Sequence, residues 1–264
     1  MAPAEAQWRE RRGQTIDRSG VPNWEMDKEV PRDVFTFVRI RYSHIGYRGR
    51  RGGNGGWQTD WPDADLNFSF RLHEMTSMRV DPQVDEDDDK AIMIEDPRLF
   101  DYPFVYIVEP GSLSLNDEEV AILRKYLLGG GFVMLDDFWG EREWANAAEQ
   151  FQKIFPEREP VDLELDHPIF HTVFDLKEKP QLPSIHHAWR MQGTGVTWER
   201  ADAREPHYRA IYDDKGRMMV IFCHNTDNGD GWEREGEDPW YFQNFSEPKA
   251  YPMGINILFY AMTH

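Results

Sequence analysis

The sequence predicts an α/β protein built on a mainly parallel sheet with helices packed on both faces. Three observations carry that expectation. FVYIVEPG (104–111) and GFVMLDD (131–137) are near-continuous apolar runs, the pattern of strands buried on both faces. A helical pattern follows each of them, and such alternation of strand and helix builds parallel sheets. The 264 residues, 40% hydrophobic and 14% aromatic, supply material for one large core.

Residues 1–33 are polar, rich in Arg and Glu and broken by Pro22 and Pro31, and read as an extended N-terminal arm. A single domain over 34–264 follows, with no internal repeat and no linker. FTFVRIRY (35–42) mixes β-branched and aromatic residues in near alternation and reads as the first strand. GYRGRRGGNGGWQTDWP is then a long loop carrying Arg48, Arg50 and Arg51. The spacing of Leu66, Phe70 and His73 predicts a helix opening near Asp63 or Asp65. DPQVDEDDDK (81–90) reads as a solvated acidic loop, because it lacks the glycine-turn spacing of a calcium-binding EF-hand.

After the strand FVYIVEPG comes the clearest helix, in SLSLNDEEVAILRKYLLGGG. Asn116 is its N-cap, Glu119 completes a capping box, and Val120, Leu123 and Leu127 form the buried face. Gly129 to Gly131 end it. GFVMLDD is a strand and EREWANAAEQFQKIF a second helix. Residues 161–174 combine a short strand with a turn at His167 and Pro168. Residues 209–227 read as a hairpin turning at 213–216, whose second strand MMVIFC runs into the loop HNTDNGDGWE. A loop rich in tryptophan and proline leads to a closing helix, GINILFYAMTH.

Lys and Arg total 30 against 48 Asp and Glu, a formal net charge of −18. Such a surface repels phosphate backbones and anionic lipid, so nucleic acid and membrane surfaces are poor partners. No apolar run approaches the roughly 18 residues of a membrane span. MAPAEAQWRERR has no apolar h-region, while APAEAQ resembles the small polar stretch left after signal cleavage. That points to a periplasmic or otherwise exported protein, with the cytoplasm as the alternative. Cys223 is the only cysteine, which excludes an intrachain disulfide.

In an open α/β sheet, sites form beyond the carboxyl ends of the strands. That rule selects Tyr42, Ser43 and His44 after the first strand, Glu109 after the second, and Asp136 and Asp137 at the end of GFVMLDD. From the late strand it selects Cys223, His224, Asn225 and Asp227. Asp136, Asp137 and His224 are the candidates for catalysis. Tyr42, Glu109, Trp139, His167, Asn225, Asp227 and Trp232 are the candidates for ligand binding. Adjacent side chains at a strand end point to opposite sides. One aspartate of the pair is therefore expected to face the cleft and the other to be structural. His224, Asp227 and Asp230 offer imidazole and carboxylates to a divalent metal, although no zinc-type spacing is present. An Asn/Asp/Gly loop bonding its own backbone is the plainer reading of that motif. His186 and His187 read as surface residues. There is no G-x-S-x-G elbow, and Cys223 with adjacent His224 cannot work as nucleophile and base from one strand.

Taken in order, FVRIRY, WQTDWPDADLNF, LFDYPFVYIVEPG, LNDEEVAILRKYLLGGGFVMLDDFWG, LDHPIF, HNTDNGDGWE and GINILFYAMTH resemble the domain-of-unknown-function family numbered 4159 over residues 34–264. The resemblance implies a flavodoxin-like, class I glutamine-amidotransferase-like three-layer sandwich related to the trehalose-utilisation (ThuA-like) proteins. It also implies a bacterial, exported protein. In true amidotransferases the strand equivalent to GFVMLDD leads into a tight elbow bearing the nucleophilic cysteine. Here that region reads Leu135-Asp136-Asp137-Phe138-Trp139, so thiol amidotransferase chemistry is not expected.

Two functional expectations follow. One is a cleft that binds or processes a small, carbohydrate-like polar ligand, with a divalent metal as the candidate cofactor, because acidic side chains bond hydroxyls and tryptophan faces stack on sugar rings. The other is a non-enzymatic binding or assembly module that retains the fold, with the 1–33 arm wrapping a second copy in a homo-oligomer.

Overall fold

The computed structural model of the protein describes residues 20–22, 24, 34–42, 56–82 and 90–264. Most of the 1–33 arm, Ser43, His44, the arginines Arg48, Arg50 and Arg51, and the 83–89 part of the acidic stretch lie outside the described residues. The strands are β1 (Arg39–Arg41), β2 (Ala91–Met93), β3 (Phe104–Val108), β4 (Phe132–Phe138), β5 (Val161–Asp162), β6 (His207–Tyr212) and β7 (Met218–His224). They form one sheet in the order β2-β1-β3-β4-β7-β6-β5. The pairs from β2 through β1, β3 and β4 to β7 are parallel, whereas β6 runs antiparallel to β7 and β5 antiparallel to β6.

The α-helices longer than one turn are α1 (Asp63–Met75), α2 (Asp117–Leu128), α3 (Gly140–Ile154), α4 (Ile185–Met191), α5 (Asn228–Glu233) and α6 (Tyr251–Thr263). Their distribution explains why β3 and β4 are apolar throughout. Alternate residues of a strand face opposite sides of the sheet. Phe104, Tyr106 and Val108 therefore join a core with Phe68 of α1, Trp232 of α5 and Ile257 of α6. Val105 and Ile107 join a second core with Leu123 of α2 and Phe151 of α3. The result is a three-layer α/β sandwich, with a hydrophobic layer on each side of the sheet. Each large side chain buried there contributes roughly 1.5–3 kcal/mol.

Helix α2 forms as its sequence predicts. Asn116 Oδ1 accepts from the amides of Glu118 and Glu119 at 2.9 Å, and Glu119 Oε2 accepts from Asn116 N at 2.8 Å. Elsewhere the structure departs from the sequence reading. FTFVRIRY contributes only Arg39–Arg41 as strand, while Phe35 makes an isolated bridge to Val80, because its partner β2 is itself three residues long. HNTDNGDGWE is helical from Asn228, with Asp227 Oδ1 accepting from Asp230 N at 2.8 Å as its N-cap. The stretch expected as a loop before the closing helix is a π-helix, Phe242–Ala250, continuous with α6. His187 is buried on α4 and is not a surface residue. Among the described residues, no helix is long and apolar enough to cross a membrane.

Candidate functional site

The carboxyl ends of β1, β3, β4 and β7 open on one side into a cleft of about 370 Å³. Four residues other than glycine have positive φ among the described residues, and all four stand at this end of the sheet: Asp60 (φ 61), Glu109 (φ 50), Asp137 (φ 56) and Asn225 (φ 63). Left-handed backbone costs a side chain on the order of 1–3 kcal/mol, and such strain gathers where structure is held for function.

Asp137 reaches the cleft because β4 bulges before it ends. Its register with β7 shifts between Leu135 and Phe138, and the left-handed conformation at Asp137 turns its side chain into the cavity. Trp139 Nε1 donates to Asp137 Oδ1 at 3.1 Å, so the indole braces the carboxylate. Asp136, one residue earlier, points into the fold. Its Oδ1 accepts from Asn228 Nδ2 at 2.7 Å, and its Oδ2 accepts from Gly229 N and from the Tyr106 hydroxyl, each at 3.0 Å. Asp136 thus ties the first turn of α5 to the sheet. Gly229 is required there, since a Cβ would lie 2.5 Å from Asp60 Oδ2 and 2.9 Å from the Tyr106 hydroxyl.

Asp60 arrives from the loop ahead of α1, and Arg39 of β1 positions it. The guanidinium bonds Asp65 of α1, with Nε 3.1 Å from Oδ1 and Nη2 2.5 Å from the same oxygen. Its Nη1 donates to the carbonyls of Trp57, at 3.0 Å, and of Thr59. Both side chains of this pair are 0% exposed. A buried charge pair therefore fixes the backbone on either side of the turn that presents Asp60. Glu109 is held by Gly56 N at 2.5 Å and by Thr59 Oγ1 at 3.0 Å, which closes the same loop from above.

Asp60, Asp137 and Asp227 each offer an oxygen within 4.8 Å of the others, and Asp60, Asp230 and Glu233 form a second such trio. Asp60 Oδ2 is buried and accepts no hydrogen bond. The electrostatics follow from this crowding. Burial pushes Asp60 well above the carboxylate range, and Asp230 and Glu233 add to the shift while Arg39 and Arg234 oppose it. Burial likewise raises Asp137, reinforced by Glu109 and Asp60, and Asp227, reinforced by Asp137 and Asp230. The neighbouring charges that act most on Asp137 and Asp227 are all carboxylates. Asp136 is pushed up to about 6 by burial, against the pull of its hydrogen bonds.

Of the residues selected from the sequence, Glu109, Asp137, Trp139, Asp227 and Asp230 line the cleft. The other described candidates are elsewhere. The Tyr42 hydroxyl lies 2.7 and 2.8 Å from the carbonyls of Val108 and Glu109 and secures the end of β3. Asn225 accepts from Gly140 N at 2.9 Å and donates to Glu205 O at 2.8 Å, joining β7 to its neighbouring loops. His224 is wholly buried on the far side of β7, between Arg209 Nη1 at 2.9 Å and Gly140 O at 3.1 Å. His167 caps a 3-10 turn and bonds the Tyr212 hydroxyl at 3.1 Å. Trp232 packs in the core against Phe37, Phe68 and Tyr106. Cys223 is buried, and burial raises its thiol well above the usual range.

Asp60 and Glu233 are not among the residues that the strand-end rule selects. Asp60 stands in WQTDWP, an acid just ahead of a helix that begins after the first strand. Asp227, Asp230 and Glu233 follow a three-residue spacing, which on a helical turn gathers them on one side. Read as a helix, HNTDNGDGWE would have revealed that face.

Fold and site together define a three-layer α/β protein with a carboxylate-lined cleft beyond the ends of its parallel strands. The family described as Domain of unknown function (DUF4159) matches residues 36–262, and the chain belongs to that family. No curated protein matches the chain.

Proposed function

We propose that the cleft binds a small, hydroxyl-rich polar ligand of carbohydrate type through one divalent cation held by Asp60, Asp137 and Asp227. The observation that carries this reading is the trio itself: three carboxylate oxygens within 4.8 Å, with buried Asp60 Oδ2 lacking any donor. Oxygens on opposite sides of a bound calcium are about 4.6–5.2 Å apart, since each Ca–O bond is about 2.3–2.6 Å. Three oxygens within 4.8 Å of one another fall inside that span, and hard cations select oxygen ligands. A cation there would supply Lewis-acid polarisation of a ligand oxygen and acidify a bound water. Around it, the chain offers Thr59, Ser112 and Ser184 as hydroxyl partners and Trp139 as an apolar wall.

The strand order β2-β1-β3-β4-β7 in the parallel part supports a flavodoxin-like relationship. The left-handed backbone at Asp137 supports its equivalence to the amidotransferase elbow, with a carboxylate standing where those enzymes have cysteine. The chemistry of the cleft is accordingly that of oxygen ligands and not of a thiol.

Calorimetric titration of chelator-treated protein with Mn²⁺ or Ca²⁺ tests this reading. One cation per chain is expected, and Asp137→Asn should weaken binding by at least about tenfold, the equivalent of roughly 1.4 kcal/mol. The same variant should melt above the wild type in chelator, because it removes one of several mutually repelling carboxylates. Sugars should raise the melting temperature only in the presence of the cation. Absence of cation binding, or an Asp137→Asn variant that binds as the wild type does, contradicts the proposal.

A further inference from the structure

The second carboxylate trio, Asp60, Asp230 and Glu233, shares Asp60 with the first, and its oxygens too lie within 4.8 Å of one another. The two trios differ in what neutralises them. Arg234 lines the cleft beside the second: its Nε lies 3.3 Å from Asp230 Oδ1 and its Nη2 2.7 Å from Glu233 Oε2. Nη1 donates to Glu237 Oε2 at 3.1 Å.

This guanidinium hydrogen-bonds Asp230 and Glu237 but leaves the other two carboxylates of the trio without a directed bond. Glu233 Oε2 is buried and makes no hydrogen bond despite the short ion-pair distance, and Asp60 Oδ2 accepts none at all. A guanidinium is a planar fork that rewards bidentate geometry, whereas a metal ion is spherical and takes oxygens from any side. The trio thus holds two buried oxygens without a hydrogen-bond donor, which a spherical cation can take from any side.

We propose that the cleft is built for two cations that share Asp60, and that Arg234 is a tethered substitute occupying the second position. This rests on the reading of the first trio as a divalent-cation site. Paired metal ions in other sites lie about 3.5–4 Å apart with shared ligands, and a carboxylate common to both trios supplies that bridge. Arg234 and a second divalent cation therefore compete for Asp230 and Glu233.

The test counts Mn²⁺ bound per chain by equilibrium dialysis, with salt present to screen the acidic surface. Wild type should take up one ion with high affinity, and a second at least about tenfold more weakly, as Arg234 is displaced. Arg234→Gln should bind two ions tightly, and Arg234→Lys, which keeps the charge, should resemble the wild type. The two-ion state should show spin-coupled electron paramagnetic resonance, since shared ligation holds the ions close. Equal counts in Arg234→Gln and wild type overturn the inference while leaving the first site intact. Wild type that binds no ion refutes the first site instead. If Arg234→Gln does not melt cooperatively, the wild-type isotherm decides, and saturation at one ion through millimolar Mn²⁺ overturns the second position.

Discussion

Arg39→Met is expected to destabilise the protein by about 3–5 kcal/mol, the cost of breaking a buried ion pair from one side. Asp65 would be left wholly buried without its guanidinium, and burial already raises its carboxyl against the pull of Arg39. The carbonyls of Trp57 and Thr59 would lose their donor as well. Replacing both partners, as Arg39→Met with Asp65→Leu, should recover most of the stability, because apolar side chains of similar volume often match a buried pair. That double variant should still bind the cation more weakly, since the turn presenting Asp60 would remain unanchored. Denaturant unfolding of both proteins, alongside Mn²⁺ titration of the double variant, separates the stabilising role from the positioning one. Recovery of stability together with unchanged cation affinity would show that Arg39 does not position Asp60.

His224 should give the protein a marked sensitivity to acid. Burial, with the charge of Arg209 added, lowers its imidazole to about 3 against the opposing bond to Gly140 O. With Nδ1 accepting from Arg209 and Nε2 donating to Gly140 O, the ring is held neutral. The unfolded chain takes up a proton near the ordinary value of 6.5, well before the folded one does. The contribution to stability is thus complete above that pH and is lost as pH falls towards 3. Between about pH 7.5 and pH 4.5 the loss is roughly 2–3 kcal/mol. His224→Gln should be less stable at neutral pH through lost stacking on Phe138, yet lose less on acidification by about that amount. Unfolding free energies of both proteins at the two pH values check this, and equal acid losses would contradict it. The cleft carboxylates have the opposite sign, because their raised folded values make them favour low pH. Comparing variant with wild type removes that contribution.

Helix α2 and strands β3 and β4 were legible in the sequence because local chemistry and burial agree there. The capping box and glycine stop bound the helix, and the apolar runs admit only strands buried on both faces. Helix α5 was not legible, because Asn, Gly and Asp favour turns in isolation. Its helical form depends on Asp136, distant in sequence, holding Asn228 and Gly229. The strand-end rule found Glu109, Asp137 and Asp227 because it locates residues along the sheet. It says nothing about side-chain direction, which is why Tyr42, His224 and Asn225 reach the right end and bond their neighbours instead. For the aspartate pair, a β-bulge and one left-handed residue send Asp137 to the cleft and leave Asp136 inside. Asp60 escaped the rule because its position depends on a charged residue inside a buried strand, and Arg39 shows no partner until α1 is folded against β1.

Anomalous diffraction from crystals soaked in Mn²⁺ decides whether Asp60, Asp137 and Asp227 hold one cation at the strand ends. A peak is expected within coordination distance, about 2.0–2.6 Å, of an oxygen from each of the three carboxylates. A manganese-bound protein with density at other acidic groups and none between these three would contradict it.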